Sequence, residues 1–206
     1  MKTALVALCL AVPLLASCGG DDPADTATDP GGSGLERPTE VPAAPGKVRS
    51  ANLATVMDTG AVELCLGPVA ESYPPQCGGP AITNWRWSDH AGMFEQQGEV
   101  RWGTFAVTGT WDGTSFTLVE AIPGALYDPM FEEPAPLPEP AEDYTPAELE
   151  TIAEDVGSLP GAQGAYADDG HVLVDVLYDD GSFQDWADDE YGDHVVAVSS
   201  ALVDLT

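Results

Sequence analysis

Two stretches poor in apolar side chains divide this chain and limit what it can fold into. From Gly19 to about Arg49 it is mostly Gly, Asp, Pro, Ala, Thr and Ser, with GGDDPADTATDPGGSG as its heart. From Pro123 to Asp143 runs PGALYDPMFEEPAPLPEPAED, with prolines alternating at 134, 136, 138 and 140. Segments of this kind bury too little surface to offset the entropy of ordering them. The first is expected to be a disordered tether over residues 18–50, spanning about 30 Å root-mean-square. The second is expected to be an extended, acidic, polyproline-type linker over residues 123–144, its start pinned by Tyr127, Met130 and Phe131. Two short foldable regions remain, 51–122 and 145–206, so any core is modest.

The chain begins with Lys2 and an apolar run, Ala4 to Leu15, too short to span a bilayer as a mature helix. Leu15-Ala16-Ser17-Cys18 follows. These four residues resemble a bacterial lipobox, which implies a signal peptide over residues 1–17 and lipidation of Cys18. The expected location is therefore the outer face of the cell membrane, with the membrane a partner through the lipid on Cys18. No later apolar run approaches the ~20 residues of a spanning helix.

That reading organises the four cysteines. Cys9 leaves with the signal and Cys18 takes the lipid. Cys65 and Cys77 remain in an oxidising compartment, where they are expected to pair. Closing a loop of this length is worth about 3 kcal/mol in the chain-entropy model.

The charge excludes whole classes of partner. There are 35 acidic residues against six Lys and Arg, a formal net charge of −29, and no Lys or Arg follows Arg101. Nucleic acid is ruled out as a partner, because its affinity rests on neutralised phosphates. A basic patch for anionic headgroups is ruled out likewise.

Within 51–122 the pattern is β. Leu53–Met57 and Ala61–Leu66 are β-prone runs either side of Asp58-Thr59-Gly60. Trp85-Arg86-Trp87 alternates, as in a strand carrying both indoles on one face. His90 to Gln97 reads as a loop. The clearest element is WGTFAVTGTWDGTSFTLVEA, two alternating runs around Asp112-Gly113, which signals a two-residue type I′ hairpin. That turn pairs Trp111 with Thr114, Gly109 with Phe116 and Val107 with Leu118. It places Phe105, Val107, Trp111, Phe116 and Leu118 on the core face, with Phe116 covering Gly109.

ELCLGPVAESYPPQCGGP followed by WGTFAVTGTWDGTSF resembles a segment of actinobacterial envelope lipoproteins of unassigned function, over roughly Val62–Phe116. DVLYDDGSFQDWADDEYG resembles the C-terminal parts of the same proteins. The resemblance implies an exported, disulfide-closed β domain and brings no catalytic residues with it. The expected fold class is α+β: a small disulfide-closed antiparallel β domain, an OB-like barrel being one form of it, followed by a small α/β domain.

In 145–206, Thr145-Pro146-Ala147-Glu148 opens a helix with a cap, a proline at N1 and an acid at N3. Leu149, Ile152, Ala153 and Val156 form its apolar stripe. His171–Tyr178 alternates as a strand apolar on both faces, suggesting cover on each side. Ser182 with Asp185 is expected to cap a short helix that buries Phe183, Trp186 and Ala187 and stops at Gly192. Val195–Val198 is a strand and Ala201–Leu205 a terminal segment. The expected order is α-β-α-β.

Candidate chemistry is sparse. Asp179, Asp180, Asp185, Asp188, Asp189, Glu190 and Asp193 crowd together, but no EF-type calcium loop is present. Ser199 and Ser200 lie outside any G-x-S-x-G setting. No catalytic residue, metal ligand or cofactor is assigned. The tryptophans between Trp85 and Trp111 are expected in the core; an exposed indole row would instead indicate stacking on sugars. The sequence therefore points to a non-catalytic binding or structural module with an envelope protein or glycan as partner. The alternatives are a glycan- or cation-binding wall module and, third, an envelope hydrolase.

Overall fold

A computed structural model describes residues 34–128 and 135–205. The signal peptide of residues 1–17, the lipidation site Cys18, the first part of the tether, and Met130 and Phe131 lie outside the described residues.

The central element is the long strand that sequence alternation marked most clearly. With chain-order labels, the strands around it are β1 (Lys47–Ser50), β2 (Ala54–Asp58), β3 (Val62–Cys65), β4 (Ala81–Thr83), β5 (Glu95–Gln97), β6 (Val100–Trp111) and β7 (Ser115–Pro123). β6 is long enough to have two different neighbours on each side. Its first half lies between β5 and β2, its second half between β7 and β1. β2, β3, β4, β7 and β6 pair in turn and close on themselves, all antiparallel except β4 with β7. This is a closed five-stranded barrel of OB type. Its interior holds Val56, Leu64, Phe105 and Phe116, all at 0% exposure. Two glycines let backbones come close. A Cβ on Gly109 would meet the Thr117 carbonyl at 2.2 Å and the Phe116 ring at 2.6 Å, and one on Gly79 the Leu64 carbonyl at 2.0 Å.

The β6–β7 hairpin forms with the expected core face but a different register. Trp111 pairs with Phe116 and Gly109 with Leu118, so the turn is longer than two residues. The cause is Asp112. Its carboxylate accepts from the backbone N–H and hydroxyl of both Thr114 and Ser115, a wider turn that Asp-Gly alone does not announce. The same bonds hold the carboxyl far below the usual carboxylate range. Next to the turn the slip is two residues, so side chains there keep their faces; a bulge between Thr108 and Gly109 adds a third residue, and Val107 pairs with Ala121. The Trp85–Trp87 strand does not form. Trp85 lies beyond β4 and Trp87 opens a 3-10 turn, the two indoles meeting edge to face at 5.2 Å.

Cys65 and Cys77 are bonded, with Cα atoms 6.0 Å apart. The pair sits on the outside of the barrel in a small second core with Met57 and Trp102.

The C-terminal part consists of α1 (Pro146–Val156), β8 (Ala162–Asp168), β9 (His171–Val176), α2 (Ser182–Tyr191), β10 (Val196–Ser200) and β11 (Leu202–Asp204). The order includes β8, which pairs antiparallel with β9 and whose weak alternation, AQGAYAD, escaped the sequence reading. α1 carries the full capping box, with Leu149, Ile152, Ala153 and Val156 buried. At α2 the cap is Asp179 rather than Ser182: its carboxylate accepts from the N–H groups of Gly181, Phe183 and Gln184. The helices cover one face of the sheet β10-β9-β8 through Val172, Val174, Val176 and Val196. The other face is not covered by helices, so β9 is central but packed fully on one side only.

Two expected boundaries change. Residues 34–50 are not free tether. Arg37 donates to the Asp155 carboxylate at 2.7 Å and lies over the Trp186 ring at 4.8 Å. Val41 and Ala44 pack on the barrel core, and the Pro42 carbonyl accepts from the Trp111 indole. Lys47–Ser50 is a strand whose Val48 is fully buried. The few apolar side chains of this stretch each find a niche, which bulk composition hides. The terminal segment, β11, leaves the three-stranded sheet and pairs antiparallel with β1. Leu202 and Tyr178 thereby enter the barrel core. The Tyr178 hydroxyl donates to the Asp204 carboxylate at 3.1 and 3.2 Å, and burial with this acidic neighbour pushes the phenol up to about 12.

Candidate functional site

Of the readings made from sequence, the tryptophan one is decided by burial. Trp87, Trp102, Trp111 and Trp186 are each 8% exposed or less, and Trp85 is half-buried between Trp87, His90 and Phe105. They are core, not a stacking row. His90 lies flat on Trp85 at 4.2 Å, and burial pushes its imidazole down, against the opposing pull of Asp89.

The acidic run serves the backbone. Asp179 caps α2, Asp188 accepts from Gln184 and from the His194 N–H, and Asp189 accepts from the Leu35 N–H. Among the described residues no group of three His, Cys, Asp or Glu side chains is placed to hold a metal ion. Asp155 is bound on two sides, by the Tyr191 hydroxyl and by Arg37, which hold its carboxyl below the usual range; burial, with the Asp155 carboxylate beside it, pushes Tyr191 up. Ser200 accepts from the Asp179 N–H. These groups fix structure.

A groove of about 690 Å³ lies on the outer face of the barrel. Its floor is Thr55 of β2 with Trp102, Gly103 and Thr104 of β6. Thr55, Trp102 and Thr104 point outward because Val56 and Phe105 fill the interior and successive strand residues alternate, while Gly103, on the inward parity, lines the groove only with backbone. One wall is Val69 and Pro75 of the disulfide loop; another is Gly92–Glu95; Leu53 and Pro123–Ala125 close the end. Trp102 is held by the small second core, and Tyr73 meets it edge-on at 5.3 Å. Leu53, Met93 and Val69 remain 44%, 42% and 37% exposed at the rim. Large apolar side chains gathered at one concave surface, over a floor of paired strands, fit a contact surface better than a packing remnant. Glu95 is the one charged residue of the lining. The sequence places Trp102 among core tryptophans and Leu53 and Thr55 in a β-prone run but does not bring them together as a groove, because its members come from five separate segments.

No protein-family model, no curated protein and no solved structure matches this chain.

Proposed function

We propose that this chain is a lipid-anchored envelope protein, held at the outer face of the cell membrane through Cys18, that acts as a non-catalytic binding module. The observation that carries the binding reading is the barrel groove: exposed Leu53, Val69 and Met93 around a floor braced by the Cys65–Cys77 loop. A stiff scaffold under an apolar surface lowers the ordering cost of association. The envelope location rests on Leu15-Ala16-Ser17-Cys18 and on the disulfide, which persists in an oxidising compartment. OB-type barrels often hold oligonucleotides, but a charge of −29 opposes that use here.

Photo-crosslinking in intact cells tests this reading. A photoreactive residue at Met93 or Thr104 is expected to give one discrete adduct, and the same residue at exposed Glu150 of α1 none. Cys18→Ala is expected to move the protein out of the membrane fraction. Adducts equal at all three positions would overturn the groove; a processed Cys18→Ala protein retained in the membrane fraction would overturn the anchor.

A further inference from the structure

A second concavity, of about 510 Å³, lies where the uncovered face of the three-stranded sheet meets the barrel. Because the helices take Val172, Val174 and Val176, the alternate residues of β8, β9 and β10 face the other way. The register sets them in two rows. Tyr166, Leu173 and Ala197 form one; Gly164, Asp175 and Ser199 form the next. Gly164 leaves a gap in the floor, since a Cβ built there meets nothing within 4 Å. The opposite wall comes from the barrel, through Asn52, Leu53 and Leu66–Pro68.

Three properties of this cleft restrict its ligand. Tyr166 is 54% exposed, so a flat aromatic face meets solvent beside the gap. The side chains of Asn52, Tyr166, Asp175 and Ser199 make no hydrogen bond to any other described residue, although each is a capable donor or acceptor. The lining contains no Lys or Arg, and Asp175 is its one charge. An anionic ligand has nothing to pair with and a net charge of −29 against it. A cation held by one exposed carboxylate gains only about 1 kcal/mol in water. An added β-strand needs a free sheet edge, and this is a face. A neutral saccharide meets all three properties. Its C–H face stacks on a phenol ring, and its paired hydroxyls match a carboxylate, an amide and a hydroxyl that lack partners.

We infer that this cleft binds one or two units of a neutral saccharide, with Tyr166 as the stacking platform and Asp175, Asn52 and Ser199 taking the hydroxyls. It is a different site from the barrel groove, from which Leu53 separates it. The inference does not depend on the groove or on anchoring, and purified protein tests it alone.

The experiment is an NMR titration of the processed full chain in detergent, using an N-acetylglucosamine trimer and a glucose trimer, with trigalacturonate as the anionic control. One of the neutral trimers is expected to shift amides of residues 163–167, 173–175 and 199 with millimolar affinity, and trigalacturonate is expected to shift none. Tyr166→Ala is expected to weaken binding about tenfold or more, while Tyr166→Phe keeps it within about threefold, because the platform survives. Asp175→Ala is expected to weaken it too. Both positions are exposed, so melting temperatures stay near wild type. The inference is overturned if neither neutral trimer shifts the cleft at about 20 mM, if trigalacturonate shifts it equally, or if Tyr166→Ala binds as tightly as wild type.

Discussion

The barrel and the α/β layer reach stability by different means. The barrel joins two local hairpins, β2–β3 and β6–β7, through the longer-range pairings β2–β6 and β4–β7, and it adds a covalent brace on its outer face. Its closed ring removes free edges, the standing hazard of small sheets. The α/β layer relies on local signals: a full capping box at α1, an aspartate cap at α2 and one apolar face on each helix. It has no cysteine and so no disulfide, and several of its acids accept bonds from backbone N–H groups. The contrast stops at the seam. β11 belongs in sequence to the layer and in space to the barrel sheet, while Tyr178 and Leu202 complete the barrel core. Regions that differ in their means of support, each with its own sheet and core cluster, are thus joined at this seam.

The disulfide gives the largest expected effect on that comparison. Replacing Cys65 and Cys77 together by Ser is expected to cost about 3 kcal/mol. Because β11 pairs with β1 and Tyr178 and Leu202 sit in the barrel core, the loss is expected to appear as one lowered thermal transition seen equally by near-UV aromatic signals and by helix dichroism. Two separated transitions, with only the first lowered, would show that the brace serves the barrel alone.

A smaller effect belongs to the barrel side only. His90 stacks on Trp85 and meets Phe105, and burial holds its imidazole below its ordinary value of 6.5. The unfolded chain therefore binds the proton more readily than the folded one. Stability is full above that ordinary value and declines as pH falls through it toward the folded value. The carboxyls held low, at Asp112, Glu148 and Asp155, lose their contribution only in more acid solution, below their ordinary values near 4. Between pH 7 and pH 5 the melting temperature is expected to fall, and His90→Phe is expected to flatten that slope. An unchanged slope in the variant would remove His90 from the account.

What could be read from the sequence follows the range of the interactions. The start of α1 is stated by four adjacent residues, Thr145–Glu148, and its cap and stripe form as expected. The β6–β7 hairpin was legible as a hairpin because alternation is local, yet its register depended on four bonds to Asp112 and came out two residues away. β1 and β11 were missed because neither has a pattern of its own; β1 is a strand beside β6 and β11, and β11 beside β1. β8 was missed because its outer face carries Gly164 and Tyr166 where a strand pattern expects uniform polarity. The groove and the cleft were illegible for the same reason at larger scale: Leu53, Val69, Met93 and Thr104 share nothing in sequence and meet only when the barrel closes. The disulfide was legible because cysteines can be counted.

The account's central claim is that the barrel and the α/β layer form one cooperative unit, joined by β1–β11 pairing and by Tyr178 and Leu202 in the barrel core. Native-state hydrogen exchange of the unmodified protein tests it most directly. The slowest amides of β9 and β10 are expected to open with the same free energy and the same denaturant dependence as those of β2 and β6, since each can open only by global unfolding. If the β9 and β10 amides open together at distinctly lower free energy while β2 and β6 stay protected, the two regions are separate domains and the claim is wrong.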